Sequence, residues 1–260
     1  MTAYTTEAKR TTIRSGKGYS LFELLVVIII LSIISAVSLK SLKSASEVTR
    51  IEQTKQELRQ LAYALAGDPE LISGGNRTDY GYVGDVGALP ANLQALIQNP
   101  GGFTTWDGPY VHDDFYDSPA ATETEFGLDA WGAPYQYSGG NVITSVGGTD
   151  PISFKVANSA ADLLYNRLAV AVTDFDNSIP GADFKDSVTV NVVVPDGAGG
   201  TAVRQKIPRA DGFVQFDSIP VGTHTLLVVY LPFNDTLTRR IDIGPGSDQY
   251  TEINLYRELW

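Results

Sequence analysis

A single acidic residue inside a long apolar run is the first candidate for chemistry in this chain. Glu23 lies near the start of YSLFELLVVIIILSIISAVSL, residues 19–39, which carries no other charge. An ionised carboxylate in apolar surroundings costs a few kcal/mol and therefore needs a partner. One interpretation places Glu23 at the membrane–water boundary, where it reaches the lipid headgroups. The other interpretation pairs the Glu23 carboxylate with a positively charged group of a protein.

Cleavage of the chain after Gly18 would supply that cation. Tyr19 would then carry a free, positively charged amine, and the basic leader that precedes it would be lost. An amine and a carboxylate about 4 Å apart attract each other by about 4 kcal/mol at an effective dielectric of about 20. The amine of one subunit and Glu23 of its neighbour would thus set the stagger of a helical assembly.

A second candidate for chemistry is a group of oxygen-bearing side chains late in the chain, formed by Asp174, Asp176, Asn177 and Asp183. Calcium takes about six to eight oxygen ligands, several of them from carboxylates. The alternative is a solvated acidic loop, and the same alternative applies more strongly to the acidic residues that follow His112, namely Asp113, Asp114 and Asp117. We expect no resident cofactor unless calcium binds here.

Composition and motifs exclude several other chemistries. The chain has no cysteine and two histidines, so disulfides, thiolate zinc sites and multi-histidine metal centres are ruled out. The net charge of −11 argues against nucleic acid as the main partner. No G-x-S-x-G, H-E-x-x-H or Walker A pattern occurs, and His224, within an alternating segment, is expected at a surface or strand edge. We therefore expect a protein that is not an enzyme.

The element that positions Glu23 is a long helix. About 20 apolar residues cross a bilayer, so residues 19–39 are long enough. Residues 1–18 carry a net charge of +3, which favours a cytoplasmic N-terminus. Beyond residue 39 the apolar residues keep a spacing of three to four, and Gly67-Asp68-Pro69 ends the pattern. This stripe consists of Leu42, Ala45, Val48, Ile51, Leu58, Leu61, Ala62 and Leu65. One helix is predicted for residues 19–66.

The N-terminal segment KGYSLFELLVVIIILSIIS resembles the class III signal of type IV pilin-like proteins. The resemblance implies that a dedicated prepilin peptidase cuts after Gly18 and methylates Tyr19. It also makes Glu23 the acidic fifth residue of the mature chain, which is the hallmark of the family. Two positions depart from the pattern: Tyr19 replaces the commoner Phe, Met or Leu, and Lys40 stands near where many members carry a proline that lets the helix melt locally.

The region that follows the helix is rich in aromatic residues next to Gly and Pro. Its segments DVGALPANLQALIQ, WDGPYV and DAWGAPYQY predict a helix from Pro90 with an apolar stripe, and then turns. The aromatic residues are expected to be core residues, with a ligand cage as the alternative; they are Trp106, Tyr110, Trp131, Tyr135 and Tyr137. Over about residues 16–137 the motifs resemble the major pseudopilin of type II secretion systems. Those relatives hold calcium in the next loop, but here residues 138–150 are poor in carboxylates.

From about Ser187 the pattern changes to short alternating segments separated by Gly and Pro turns. Six strands are predicted, which indicates a small β-sandwich. The stretch DGFVQFDSIPVGTHTLLVVYLP is similar to carboxypeptidase-regulatory-like, transthyretin-type domains. Such modules are structural or ligand-binding.

Together these features predict an α+β chain with four parts: a leader at residues 1–18, an N-terminal helix at 19–66, a pseudopilin-like head at 67–184 and a β-sandwich at 185–260. The resemblance implies a structural pseudopilin that polymerises with itself and other pseudopilins, served by prepilin peptidase and an inner-membrane assembly platform. It would be single-pass in the bacterial inner membrane with periplasmic soluble domains. The alternatives are a minor type IV pilin with an adhesive or ligand-binding sandwich, and a signal-anchored periplasmic binding protein that never polymerises.

Overall fold

The computed structural model describes residues 20–111 and 125–260. The chain divides into two units, Met1–Thr49 and Arg50–Trp260. Gly18 and Tyr19 lie outside the described residues, and so do His112, Asp113, Asp114 and Asp117.

The secondary structure begins with one long helix and ends with strands. The helices are α1 (Leu21–Ala66), α2 (Gly81–Val86), α3 (Ala160–Leu164) and α4 (Gly181–Phe184), and single 3-10 turns occur at Leu93–Leu96, Glu125–Gly127 and Lys185–Ser187. The strands are β1 (Ile72–Ser73), β2 (Asn76–Arg77), β3 (Val142–Ser145), β4 (Ile152–Lys155), β5 (Asn166–Thr173), β6 (Val188–Pro195), β7 (Thr201–Lys206), β8 (Phe213–Ile219), β9 (Gly222–Tyr230), β10 (Asp235–Ile243) and β11 (Asp248–Asn254). The predicted fold class is confirmed: a long apolar helix precedes a separate region of mostly β structure.

The end of α1 lies where the sequence predicts it. Gly67 adopts a left-handed conformation (φ 78°), and its N–H donates a hydrogen bond to the Tyr63 carbonyl. The guanidinium group of Arg77 donates to the carbonyls of Ala66 and Gly67. Since the last carbonyls of a helix have no partner within it, Arg77 stabilises the end of α1 from outside.

The second half of α1 forms the core of the head. Leu58, Leu61 and Leu65 are buried in one cluster with Val83 of α2 and with Ile143 of β3. Burial on α1 starts at Thr54. The apolar stripe that the sequence predicts on this helix is therefore buried in its later part, where the head packs against it.

The helix predicted from Pro90 is wrong. Only one 3-10 turn forms, over Leu93–Leu96, and the Asn92 side chain caps it. Two carbonyls that a longer helix would use accept other donors: Ala95 accepts the indole N–H of Trp106 at 2.9 Å, and Leu96 accepts the N–H of Tyr110 at 2.8 Å. Packing of distant aromatic residues thus overrides the local helical pattern.

The C-terminal region is a two-sheet sandwich. One sheet has the strand order β10-β9-β6-β7, and the other has β11-β5-β8. The inward-facing residues of both sheets form one apolar core, which includes Val190 of β6, Phe216 of β8 and Ile253 of β11. All six predicted strands are present. The sandwich also contains β5, which lies in the range predicted for the head. The pairing of β5 with β8 and β11 favours a sandwich that starts near residue 166, and the predicted boundary at residue 185 stays a prediction.

Long basic side chains brace both open sides of the sandwich. On one side, Arg204 and Lys206 of β7 donate to backbone carbonyls of β8. On the other, Arg239 of β10 donates to the carbonyl of Glu252 in β11 at 2.9 Å. These contacts occupy carbonyl groups that an edge strand would otherwise offer to another strand.

The expectation for His224 is wrong. It lies in β9, an inner strand of its sheet, and only 2% of its surface is exposed. Its Nε2 atom lies 2.7 Å from the Pro220 carbonyl oxygen. The alternating pattern of β9 places this polar residue on the inward face, where the backbone carbonyl satisfies it.

Candidate functional site

Glu23 lies in the first turn of α1 and is exposed in this unit. Its backbone N–H donates to the hydroxyl oxygen of Ser20 at 3.1 Å, so Ser20 caps the helix. A carboxylate in the first turn also interacts favourably with the positive end of the helix dipole. The spacing Ser-x-x-Glu is the sequence signal for this cap, and our sequence reasoning missed it. The contact between Glu23 and the Tyr19 amine stays a prediction.

The surface that follows Glu23 is apolar and exposed. The large side chains from Leu24 to Leu39 are about half exposed within this unit. This run contains three serines, Ser32, Ser35 and Ser38, and the hydroxyl of Ser32 donates to the Ile28 carbonyl at 2.7 Å. By length and composition α1 can cross a membrane. An exposed helix of this kind is covered by lipid or by other helices.

Asp174 anchors the chain rather than standing free for a metal. It is fully buried, and its Oδ1 accepts the N–H groups of Asp176 and Ser178 at 3.1 and 2.9 Å. Its Oδ2 accepts the N–H of Leu259 at 3.3 Å. No group of three acidic or histidine side chains that could hold a metal ion occurs in residues 20–111 and 125–260. Calcium binding by Asp174, Asp176 and Asp183 stays a prediction, and the Asp174 carboxylate already accepts three backbone N–H groups.

Asp129, which the sequence reasoning did not single out, organises the D-x-W-G-x-P-Y segment. Its Oδ1 accepts the N–H groups of Trp131 and Ala133, and its Oδ2 accepts the Ser145 hydroxyl at 2.6 Å and the Gly147 N–H at 3.0 Å. Burial alone would raise the pKa of Asp129, but these four hydrogen bonds outweigh burial and lower its pKa below the ordinary value. One ionised carboxylate therefore ties this turn to the loop after β3.

The aromatic residues of the head pack as core residues with satisfied polar groups. The Tyr135 hydroxyl donates to the Glu57 carboxylate at 2.6 Å, and the Tyr110 hydroxyl donates to Asp85 at 2.7 Å. Burial and these acidic acceptors raise the pKa of both tyrosines. The buried hydroxyl of Tyr137 has no hydrogen-bond partner among the described residues. Since Trp106, Tyr110, Tyr135 and Tyr137 all pack on the head core, the core interpretation is favoured over a ligand cage.

Comparison with known proteins identifies the N-terminal segment. Residues 13–39 match the family described as "Prokaryotic N-terminal methylation motif". The match covers Gly18, Tyr19, Glu23 and the apolar run up to Leu39. No curated protein sequence matches the chain.

Several solved structures share a distant likeness with it. The dioxygenase domain of a dioxygenase carbohydrate-binding protein fusion from Streptomyces sp. SirexAA-E is 12% identical over 36% of this chain and 81% of that chain, with a TM-score of 0.28. The Bacillus anthracis TIE protein is 9% identical over 48% of this chain and 25% of that chain (TM-score 0.29). BcpA, the major pilin subunit of Bacillus cereus, is 11% identical over 48% and 40% of the two chains (TM-score 0.25). These TM-scores are too low to support an argument about fold or function.

The matched motif and the position of α1 are therefore consistent with each other. The methylation motif spans residues 13–39, and the long apolar helix α1 begins within it at Leu21. The matched motif indicates a type IV pilin-like substrate of a prepilin peptidase, an assignment that covers pseudopilins and pilins alike.

Proposed function

We propose that this chain is a structural, non-catalytic filament subunit that is cut between Gly18 and Tyr19 and polymerises through α1. The observation that supports this most is the coincidence of the methylation motif at residues 13–39 with an exposed apolar helix. Prepilin peptidase removes the leader and methylates Tyr19. The mature protein is a single-pass protein of the bacterial inner membrane, with the regions after α1 in the periplasm.

Glu23 is the register contact in this proposal. In the isolated chain Ser20 and the helix dipole stabilise the helix start, but neither neutralises the Glu23 carboxylate in an apolar bundle. The Tyr19 amine of a neighbouring subunit does so, while Leu24–Leu39 form the hydrophobic centre of the filament. An unpaired carboxylate would be strongly disfavoured there, so the subunits assemble with the one stagger that pairs the two charges.

The filament is proposed to be the pseudopilus of a type II secretion system. The resemblance over residues 16–137 to major pseudopilins and the lack of cysteine, which excludes a C-terminal pilin disulfide, support this choice. The partners are further copies of this chain, other pseudopilins and the inner-membrane assembly platform. The similarity of the sandwich to transthyretin-type domains supports a specialised role within that system.

Mass spectrometry of the membrane-extracted protein tests processing. We expect a mature chain that starts at Tyr19 and carries one added methyl group. An intact Met1, or a start near Glu47, would exclude this type of processing.

Assembly is tested by replacing Glu23 with alanine. We expect Glu23→Ala to insert into the membrane normally and to assemble poorly, as measured by sedimentation of sheared filaments. Glu52→Ala is the matched control, since Glu52 lies on the same helix and makes only an exposed ion pair with Lys55. Undiminished filaments from Glu23→Ala would defeat the register hypothesis.

Deletion of the gene separates the two filament classes. Loss of secreted proteins from the culture medium, with surface pili unchanged, is the result expected for a pseudopilin. Normal secretion with loss of surface filaments would instead assign the chain to a pilus, as the alternative minor pilin predicts.

A further inference from the structure

The two ends of the β-sandwich have different surroundings. At one end the head packs against it: the Val221 N–H donates to the Leu163 carbonyl, and the Gly197 N–H donates to the Val86 carbonyl, both at 2.9 Å. The other end, here called the distal end, consists of residues 174–179, 231–235 and 255–260. Since strands β5, β9 and β11 all run from the head toward this end, the distal end is the one remote from the head.

The C-terminal tail is fixed at the distal end by hydrogen bonds to the loop after β5. The Leu259 N–H donates to Asp174, the Trp260 indole N–H donates to the Ser178 carbonyl at 2.9 Å, and the Phe175 N–H donates to the Arg257 carbonyl at 3.1 Å. The backbone of this tail is therefore held in place in the free chain, which reduces the entropy that binding would cost.

A cleft of about 190 Å³ opens between the tail and the start of β10. Its inner wall is apolar, and its mouth carries polar groups. Here the inner wall means the buried or half-buried apolar lining residues, Tyr230, Leu237, Leu255 and Leu259, and the mouth means the more exposed polar ones, Asp235, Thr236, Tyr256 and Arg257. Pockets for drug-sized ligands measure roughly 300–1,000 Å³, so this cleft accommodates a single ring.

The mouth combines the exposed ring of Tyr256 with an ion pair, and the exposed ring of Phe233 lies beside Arg257, outside the cleft lining. Tyr256 is 81% exposed and Phe233 is 62% exposed. The Nε atom of Arg257 lies 3.4 Å from Oδ2 of Asp235, and its guanidinium carbon lies 5.9 Å from the centre of the Phe233 ring. This pairing engages Oδ2 of Asp235 and Nε of Arg257, so Oδ1 and the terminal guanidinium nitrogens are the atoms that remain for a ligand.

We propose that this cleft binds one ring of a neutral saccharide. An aromatic face packs against the C–H face of a sugar ring, a carboxylate accepts hydrogen bonds from hydroxyl groups, and a guanidinium group donates to them. The only charged residues in the cleft lining, Asp235 and Arg257, pair with each other, so the lining offers no net positive charge to an anionic ligand such as a phosphate. Saccharide binding requires no polymerisation and is independent of the proposed filament role.

The experiment measures saccharide binding to the full chain in detergent by isothermal titration. The probes are cellobiose, maltose, lactose and di-N-acetylchitobiose, with a neutral tryptophan-containing tripeptide as the protein-like probe. We expect at least one disaccharide to bind, with Tyr256→Ala weakening it about five- to tenfold and Asp235→Ala at least about tenfold. The matched control is Tyr165→Ala, because Tyr165 is 64% exposed and lies beside α3, away from the distal end.

Three results would overturn the proposal. These are the absence of binding by all four disaccharides, an equal loss of affinity in Tyr165→Ala and Tyr256→Ala, and binding of the tripeptide in place of the sugars, which would reassign the cleft to a protein partner. Thermal unfolding of each variant confirms that the exposed substitutions leave the fold intact.

Discussion

Replacement of Asp129 by asparagine tests whether one carboxylate holds the head together. In the native chain the two oxygens accept four hydrogen bonds, from Trp131, Ala133, Ser145 and Gly147. Asparagine offers one acceptor oxygen, and its NH₂ group would face two donors instead. The substitution therefore removes the charge and leaves two donors unpaired at a site that is 5% exposed.

The expected loss of stability follows from those two donors. A hydrogen bond to a charged group contributes about 1.5–3 kcal/mol, so we expect Asp129→Asn to lower the free energy of unfolding by about 4 kcal/mol. For a unit of roughly 200 residues this corresponds to a decrease in Tm of about 8–16 °C. Thermal unfolding of the full chain in detergent, followed by circular dichroism, measures it.

The pH dependence gives a second, independent signature. Because the folded pKa of Asp129 lies below the ordinary value of about 3.9, its ionisation stabilises the fold at higher pH, and this contribution is lost as the pH falls below about 4. The difference in Tm between the native chain and Asp129→Asn should therefore shrink in acid. The matched control is Asp150→Asn, which alters an exposed aspartate. A loss below about 0.5 kcal/mol at pH 7, or equal losses from both variants, would refute the reasoning.

Three further predictions concern side chains buried in the same unit. Tyr135→Phe should lower the free energy of unfolding by about 1–2 kcal/mol because Glu57 loses a hydrogen-bond donor. Tyr137→Phe should be neutral or slightly stabilising because the Tyr137 hydroxyl has no partner among the described residues. Urea unfolding of the two variants compares these effects. Arg77→Ala should lower the free energy of unfolding by about 1–2 kcal/mol because the last carbonyls of α1 lose their donor. Faster amide exchange at the end of α1 would show this loss, and unchanged exchange would contradict the capping role. Burial lowers the pKa of His224, so the native chain should lose stability as the pH falls below about 6.5; the same loss in His224→Phe would assign the effect to another group.

The elements that depend on local pattern could be predicted from the sequence. Gly67 and the proline that follows Asp68 give the end of α1, and alternating valines give β6, because both signals reside in neighbouring residues. The strand β5 carries the same alternation at Leu168, Val170 and Val172, so its signal was present and was overlooked. The helix expected from Pro90 did not form because two of its carbonyls accept hydrogen bonds from the Trp106 indole and the Tyr110 backbone N–H, which lie more than ten residues away.

The candidate sites also divide into those that a local motif predicts and those that depend on contacts between distant residues. Gly18, Tyr19 and Glu23 lie within one short matched motif, so their spacing alone suffices to predict their roles, which stay predictions. The role of Asp129 could not be read from the sequence, because two of its donors lie 16 and 18 residues away and meet it only when β3 folds back. The distal cleft is likewise visible only once the tail and the turn before β10 are placed side by side.

The bracing of the sandwich by Arg204, Lys206 and Arg239 has a consequence for crowded assemblies. When a helical bundle gathers many copies, their sheets meet at a concentration at which strand exchange and fibre growth become hazards. Here a strand from another copy would first have to displace the charged side chains from the carbonyls with which it would pair. In the proposed filament, neighbouring copies can therefore touch and separate again without their sheets fusing.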